Sequence, residues 1–248
     1  METNRPKFVI VMSGKGGVGK STVAANIARL LSQKIESVGL LDLDLTGPSI
    51  PTIFGVQNEK IKSVNNKMIP CKSSNIEIVS LGLLLANPND AVIWRGPRKS
   101  SMIQTFFNLI EWNSKVIIVD MPPGTSDEHL STIDMLKQSG VVFSTIIVTT
   151  PNVLSVADVR KEINLCQTLG VTIDGIVENF CGVVCPCCGE LTDLQENDAA
   201  VQMSNELGIP ILSKIPFLPQ AAADFDGGKA SVIILPYFEP VVLKIISN

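Results

Sequence analysis

Apolar residues in this chain come in short unbroken runs, separated by stretches in which they recur every three or four positions. Phe8-Val9-Ile10-Val11-Met12 and Val116-Ile117-Ile118-Val119 are of the first kind. Val23, Ile27, Leu30 and Leu31 are of the second, spaced to share one helical face. The pattern predicts strands at Lys7–Met12, Val38–Leu43, Ile76–Leu81, Val116–Asp120, Val141–Thr149, Val171–Glu178 and Ile209–Ile215. Helices are predicted at Lys20–Gln33, Arg98–Ile110, Glu128–Gln138, Ser155–Leu169, Asp198–Leu207 and Pro240–Ile246. Strands that are apolar throughout suit a sheet covered on both faces, and such sheets are mostly parallel. Alternating strands and helices build right-handed βαβ crossovers. The expected fold class is α/β, a doubly wound, mostly parallel sheet of about seven to eight strands with helices on both faces. No Pro/Gly/Ser-rich linker interrupts the chain, so residues 1–248 read as one domain. Ligands of such sheets gather at the carboxyl ends of the strands, and the polar motifs here directly follow the apolar runs.

Composition narrows the class. With 45% hydrophobic residues and a mean hydropathy of +0.31, a sizeable core is available. No apolar run reaches the roughly 18–20 residues of a membrane span. The start, METNRPK, carries no secretory h-region. A net charge of −4 argues against a general polyanion-binding surface, and so against nucleic acid as partner. Six cysteines occur, four of them within the eight residues 181–188. That clustering does not suit a disulfide framework; a reducing, cytoplasmic setting and a metal site do. Cys71 and Cys166 read as small buried hydrophobes.

Gly14-Lys15-Gly16-Gly17-Val18-Gly19-Lys20-Ser21-Thr22 sits between the first strand and first helix. Gly14, Gly19, Lys20 and Ser21 fit the P-loop spacing. Glycines let backbone N–H groups turn inward around phosphate oxygens at a helix N-terminus. Lys20 is expected to reach the β- and γ-phosphates and Ser21 to ligate Mg²⁺. The chain is thus expected to bind a nucleotide through its phosphates.

Two later stretches complete a hydrolytic set. In Asp42-Leu43-Asp44-Leu45-Thr46-Gly47-Pro48-Ser49, Asp44 is expected to orient or activate the attacking water and Asp42 to help hold the Mg²⁺ shell. The fourth strand delivers Asp120 at its tip, matching a Walker B carboxylate that holds Mg²⁺ through water. Met121-Pro122-Pro123-Gly124-Thr125 is stiff up to Gly124 and reads as a switch sensing the γ-phosphate. His129, the only histidine, reads as a surface residue beside Asp127 and Glu128 and is assigned no role.

In Cys181-Gly182-Val183-Val184-Cys185-Pro186-Cys187-Cys188-Gly189, Cys185 and Cys188 form a C-x-x-C pair that brings two thiolates to one metal or cluster. A thioredoxin-like motif would open a helix after an early strand, and this one lies late. A zinc site of Cys181, Cys185, Cys187 and Cys188 remains an alternative. Closed sites take four ligands, so two cysteines call for a second subunit. Asn179, near the end of the sixth strand, is placed for adenine recognition, with residues 216–219 as the opposite wall.

The strings GKGGVGKST, DLDLTGPSIP, Val92-Ile93-Trp94-Arg95-Gly96-Pro97, DMPPGTSDEHL, VTTP, Val177-Glu178-Asn179 and CPCC together resemble the Mrp branch of the MinD-type ATPases. Within it the chain is most similar to the eukaryotic cytosolic iron–sulfur cluster scaffold ATPases. The resemblance runs almost end to end. It implies a homodimer or hetero-oligomer sharing a [4Fe–4S] cluster held by Cys185 and Cys188 of each subunit. It also implies that Lys15 reaches the nucleotide of the partner subunit, and that ATP turnover drives cluster transfer to cytosolic and nuclear apo-proteins. The larger paralogue carries a four-cysteine N-terminal extension. Here 13 residues precede Gly14 and the first cysteine is Cys71, so the resemblance is to the short subunit, with the longer one as expected partner. Departures from the family pattern are Phe180-Cys181 where Met-Ser is usual, Leu218 where Asp is usual, and Cys187 at the variable CPxC position. The alternatives are a MinD/ParA-like positioning ATPase acting on membrane or DNA, and a nucleotide-dependent zinc protein. The end, Pro240–Asn248, has one lysine and no basic face.

Overall fold

The computed structural model describes residues 5–44, 47–84, 96–185, 187–195 and 198–248. Its strands are β1 (Lys7–Ser13), β2 (Val38–Asp42), β3 (Lys62–Val64), β4 (Lys67–Ile69), β5 (Cys71–Ser73), β6 (Ile76–Ser80), β7 (Val116–Asp120), β8 (Phe143–Thr149), β9 (Ile173–Val184), β10 (Leu191–Asp193) and β11 (Ile211–Phe217). The α-helices are α1 (Lys20–Leu31), α2 (Ile50–Ile53), α3 (Gly96–Leu109), α4 (Asp127–Ser139), α5 (Val153–Thr168), α6 (Ala199–Leu207), α7 (Pro219–Asp226) and α8 (Glu239–Ser247).

Among the described residues nine strands make one sheet in the order β10-β9-β8-β1-β7-β2-β6-β5, with β11 also paired to β9. The seven strands predicted from apolar runs are its parallel members, β1, β2, β6, β7, β8, β9 and β11. The strand count exceeds the expected seven to eight because β5 and β10 add short antiparallel edges. Three-residue strands such as β10, exposed along their length, carry no apolar run by which to find them. The short hairpin of β3 and β4 lies apart from the sheet.

Alternate side chains of each strand feed two cores. Val9, Val11, Leu40, Ile118 and Val148 face α1, α2, α7 and α8. Phe8, Ile10, Met12, Leu41, Val119 and Ile147 face α3, α4, α5 and α6. Each such side chain, removed from water, contributes roughly 1.5–3 kcal/mol, so both faces hold the parallel sheet in place.

Two predicted boundaries are corrected. The sixth predicted strand stops at Glu178, but β9 runs on to Val184 because β10 pairs with its far end. The seventh predicted strand stops at Ile215, but β11 runs on through Pro216 and Phe217, and Leu218 then caps α7, whose Pro219 occupies the first helical position, where its missing N–H costs nothing. The residues of the family motif from Val92 to Arg95, together with Leu45, Thr46 and Pro186, lie outside the described residues.

Candidate nucleotide site and cysteine hairpin

β1 lies at the centre of the sheet, flanked by β7 and β8, and β2 lies beyond β7. This order brings the loop after β1 and the carboxylates of β2 and β7 to one edge. Asp42 and Asp120 are register partners on neighbouring parallel strands, and both continue the α1-facing series of Leu40 and Ile118. Lys20 opens α1, and its Nζ is 2.5 Å from Asp120 Oδ1 and 3.4 Å from Ser21 Oγ. Lys20 is 6% exposed and Asp120 not at all. Burial, and then the neighbouring Asp120 charge, push the Asp42 carboxyl up to about 8, against the hydrogen bond from Ser80 and the charge of Lys20. Ser80 Oγ donates to Asp42 Oδ2 at 2.8 Å, and the Asp44 backbone N–H donates to Asp42 Oδ1 at 3.1 Å. Burial likewise raises the Asp120 carboxyl, with Lys20 pulling the other way. Asp120 Oδ2 is buried without a hydrogen-bond partner. That orphaned oxygen, a second carboxylate and the Ser21 hydroxyl form a hard oxygen donor set of the kind Mg²⁺ takes.

The loop itself is an open nest. Gly17 and Gly19 have φ of 80° and 83°, a left-handed backbone that a side chain would disfavour. Lys15, Gly16, Gly17, Val18, Gly19, Lys20, Ser21, Thr22 and Asp44 line a cavity of about 260 Å³. A second cavity of about 720 Å³ shares Thr22, Gly47 and Ser49 with it and continues past Asn179, Pro216 and Leu218. The expected adenine wall and the phosphate nest are thus parts of one trough. Asn179 reaches the loop directly, its Nδ2 donating to Val18 O at 2.9 Å.

Gly14 is needed for space. A Cβ there would lie 2.6 Å from the Asp158 backbone carbon, so α5 packs on the loop's first residue. On the other side Gly124, with φ of 80°, donates its N–H to Ser13 O at 2.9 Å and fixes the Pro-Pro-Gly turn beside the loop. His129, expected on the surface, is fully buried. Its Nδ1 accepts from the Ser126 backbone N–H at 3.2 Å and closes a capping box at the start of α4. Burial, and beyond it the charge of Lys20, bring the ring down to about 4, opposed by Glu128. The Ser126-x-x-His129 spacing was the available signal, a capping box with histidine in place of Glu or Gln. Ser80 and Glu162 carried no such signal. Glu162 on α5 is buried, both carboxyl oxygens lack hydrogen-bond partners, and burial pushes it up to about 8.

The cysteines occupy the other end of β9. Cys181 is buried in the strand, Cys185 is half-buried, and Cys187 and Cys188 are exposed. Cys185 N–H donates to Glu190 O and Gly189 N–H to Cys185 O, each at 2.9 Å, closing a tight turn above β10. Backbone N–H groups of Cys188 and Cys187 hold the Cys185 thiol below the usual range. The segment is a turn at Cys187 and Cys188. Among the described residues no group of three or more Cys, His, Asp or Glu side chains is arranged to hold a metal ion.

The family description "ParA: NUBPL iron-transfer P-loop NTPase" matches residues 4–242. The chain belongs to this family. An Aedes aegypti relative, "Cytosolic Fe-S cluster assembly factor Nubp2 homolog", is 42% identical over 92% of this chain and 90% of its own length. A Brugia malayi relative, "Cytosolic Fe-S cluster assembly factor NUBP1 homolog", is 44% identical over 89% of this chain and 73% of its own. A solved nucleotide-binding protein from Archaeoglobus fulgidus, in complex with ADP, superposes with a TM-score of 0.79 at 31% identity, covering 94% of this chain and 90% of that one. As a NUBPL-type P-loop NTPase, the chain is an ATP-hydrolysing enzyme with the doubly wound sheet described above.

Proposed function

We propose that this chain is an ATP-driven scaffold that builds a [4Fe–4S] cluster together with a second subunit and passes it to apo-proteins in the cytosol. The Aedes and Brugia relatives are both named as cytosolic Fe-S cluster assembly factors. The observation that carries the reading is a turn with Cys185 half-buried and Cys188 exposed, short of ligands among the described residues, at the end of the strand that touches the nucleotide loop. A closed zinc site inside one subunit has no third ligand among the described residues. The cluster is cargo, held by Cys185 and Cys188 and completed by the same pair of a second copy or of a longer paralogue bearing a four-cysteine extension.

Gly14, Gly16, Gly17, Val18 and Gly19 offer backbone N–H groups to the phosphates, with Thr22 and Asn179 toward the nucleoside. Lys20 leaves Asp120 for the β- and γ-phosphates as they arrive. Ser21, Asp42 and Asp120 would hold Mg²⁺, which supplies charge compensation at the phosphate oxygens. Asp44 orients the attacking water, and Lys15 acts on the nucleotide of the partner subunit.

Anaerobic reconstitution with iron and sulfide, followed by visible absorption and metal analysis, tests the reading. Wild type is expected to retain iron and sulfide at four each per subunit pair (about the composition of one cubane). Replacing Cys185 and Cys188 with Ala is expected to abolish retention and leave ATP binding intact. Stoichiometric zinc without a cluster in wild type would overturn it.

A further inference from the structure

β9 carries one irregularity between its two functional ends. Ile215 of β11 pairs with Asn179, but the next pairing is Phe217 with Val183. Two steps along β11 therefore span four along β9, so β9 bulges between these pairs. Inside the bulge Phe180 has φ of 57°, the left-handed region. A bulky aromatic holds that conformation only where its surroundings impose it.

The surroundings are specific. On one side Asn179 is clamped to the P-loop through Val18 O, and its Nδ2 fills the space that a Cβ on Gly19 would need. On the other side Gly182 is pressed against β10, with Thr192 O 2.6 Å from where a Cβ on Gly182 would stand. The Phe180 ring meets Phe217 edge-on at 6.0 Å and also lines the larger cavity. Rigid contacts thus flank a residue held in the left-handed state, whereas a bulky aromatic ordinarily takes the extended one. Passing between them re-aims the strand beyond, and that strand ends at Cys185.

We propose that Phe180 is a positioning residue that converts occupancy of the nucleotide trough into a change in the placement of the Cys185/Cys188 turn. The cargo at that turn rests on the functional reading above; the coupling does not. Phosphate entering the nest shifts Val18 and Gly19, Asn179 follows them, and the bulge transmits the displacement to the turn.

Alkylation of the reduced, cluster-free full chain by iodoacetamide, resolved by mass spectrometry, reads the turn directly. In wild type, saturating Mg·ADP is expected to change the rates at Cys185 and Cys188 by about fivefold or more, the lower end of ordinary coupling between sites. Phe180→Val, whose branched side chain disfavours the left-handed state, is expected to lose that difference at saturating nucleotide. Phe217→Ala, which removes the ring's support and leaves the β9 backbone unaltered, serves if the first variant does not fold, and is also expected to lose it. Nucleotide-independent rates in wild type, or an undiminished difference in the folded variants, would overturn the proposal. Reconstitution separates the failures: a wild type that retains no cluster removes the cargo, whereas a retained cluster with nucleotide-independent alkylation removes only the relay.

Discussion

Asp42 and Asp120 stand at strand tips in the sequence, and their candidacy as acidic groups of a phosphate site is legible there. That they are register partners, one pushed up to about 8 by burial and by the other, depends on β2 lying beside β7. The Asp42 carboxyl titrates higher folded than unfolded. Its contribution to stability is complete below the ordinary carboxylate range and is lost as pH rises toward 8. Asp42→Asn is therefore expected to flatten the fall in urea midpoint of the nucleotide-free protein between pH 5 and pH 8, the variant gaining relative to wild type at the alkaline end. His129 has the opposite sign. Its folded value near 4 lies below the unfolded one, so its contribution is present above about 6.5 and lost as pH falls toward 4. His129→Ala removes a cap and leaves a void, with an expected loss of about 2 kcal/mol at pH 7.5. His129→Gln keeps an acceptor at the capping position and is expected to lose less. Chemical denaturation at pH 7.5 and 5.5 checks both.

At the scale of elements, β9 is the informative case. Its apolar stretch up to Val177 marks a buried parallel strand, and the predicted strand ends at Glu178. The remainder, Asn179 to Val184, is shaped by the P-loop, β11 and β10, which come from distant parts of the chain. No local pattern announces such partners. The same is true of Gly182, which reads as a neutral residue until β10 is found packed on it. Gly182→Ala would press a methyl group into the Thr192 carbonyl, disrupt β10 pairing and misplace the turn. It is expected to cut cluster retention on reconstitution at least tenfold (about 1.4 kcal/mol) while nucleotide affinity, measured by calorimetry, stays within about twofold.

The whole molecule presents a trough in which a phosphate nest and a larger cavity meet at Thr22, Gly47 and Ser49. Lys15 lines the nest half-buried, beside residues that receive phosphate within the same chain. If its role is fulfilled in the partner's site, Lys15→Ala should impair turnover of the assembled dimer by about 100-fold, the scale at which removing a charged stabiliser of phosphoryl transfer acts. Monomer nucleotide affinity should stay nearly unaltered. Steady-state hydrolysis set against calorimetric binding checks this, and equal loss in both would place Lys15 in its own subunit's site.

The order of apolar runs and helical faces, the glycine spacing around Lys20 and Ser21, and the C-x-x-C pair are properties of neighbouring residues, so the sequence by itself determined the parallel sheet, the P-loop and the candidate ligands. Strand order is different, because it is set by contacts between segments distant in the chain, as where β1 pairs with β7 and β8. Only the tertiary structure decided that Asp120 is 2.5 Å from Lys20 and that His129 is buried. It also decided that Asn179 grips Val18 and that Phe180 is held left-handed between the nucleotide loop and the cysteine turn. Burial and hydrogen-bond competition fix these features, and both exist only once the distant segments have packed.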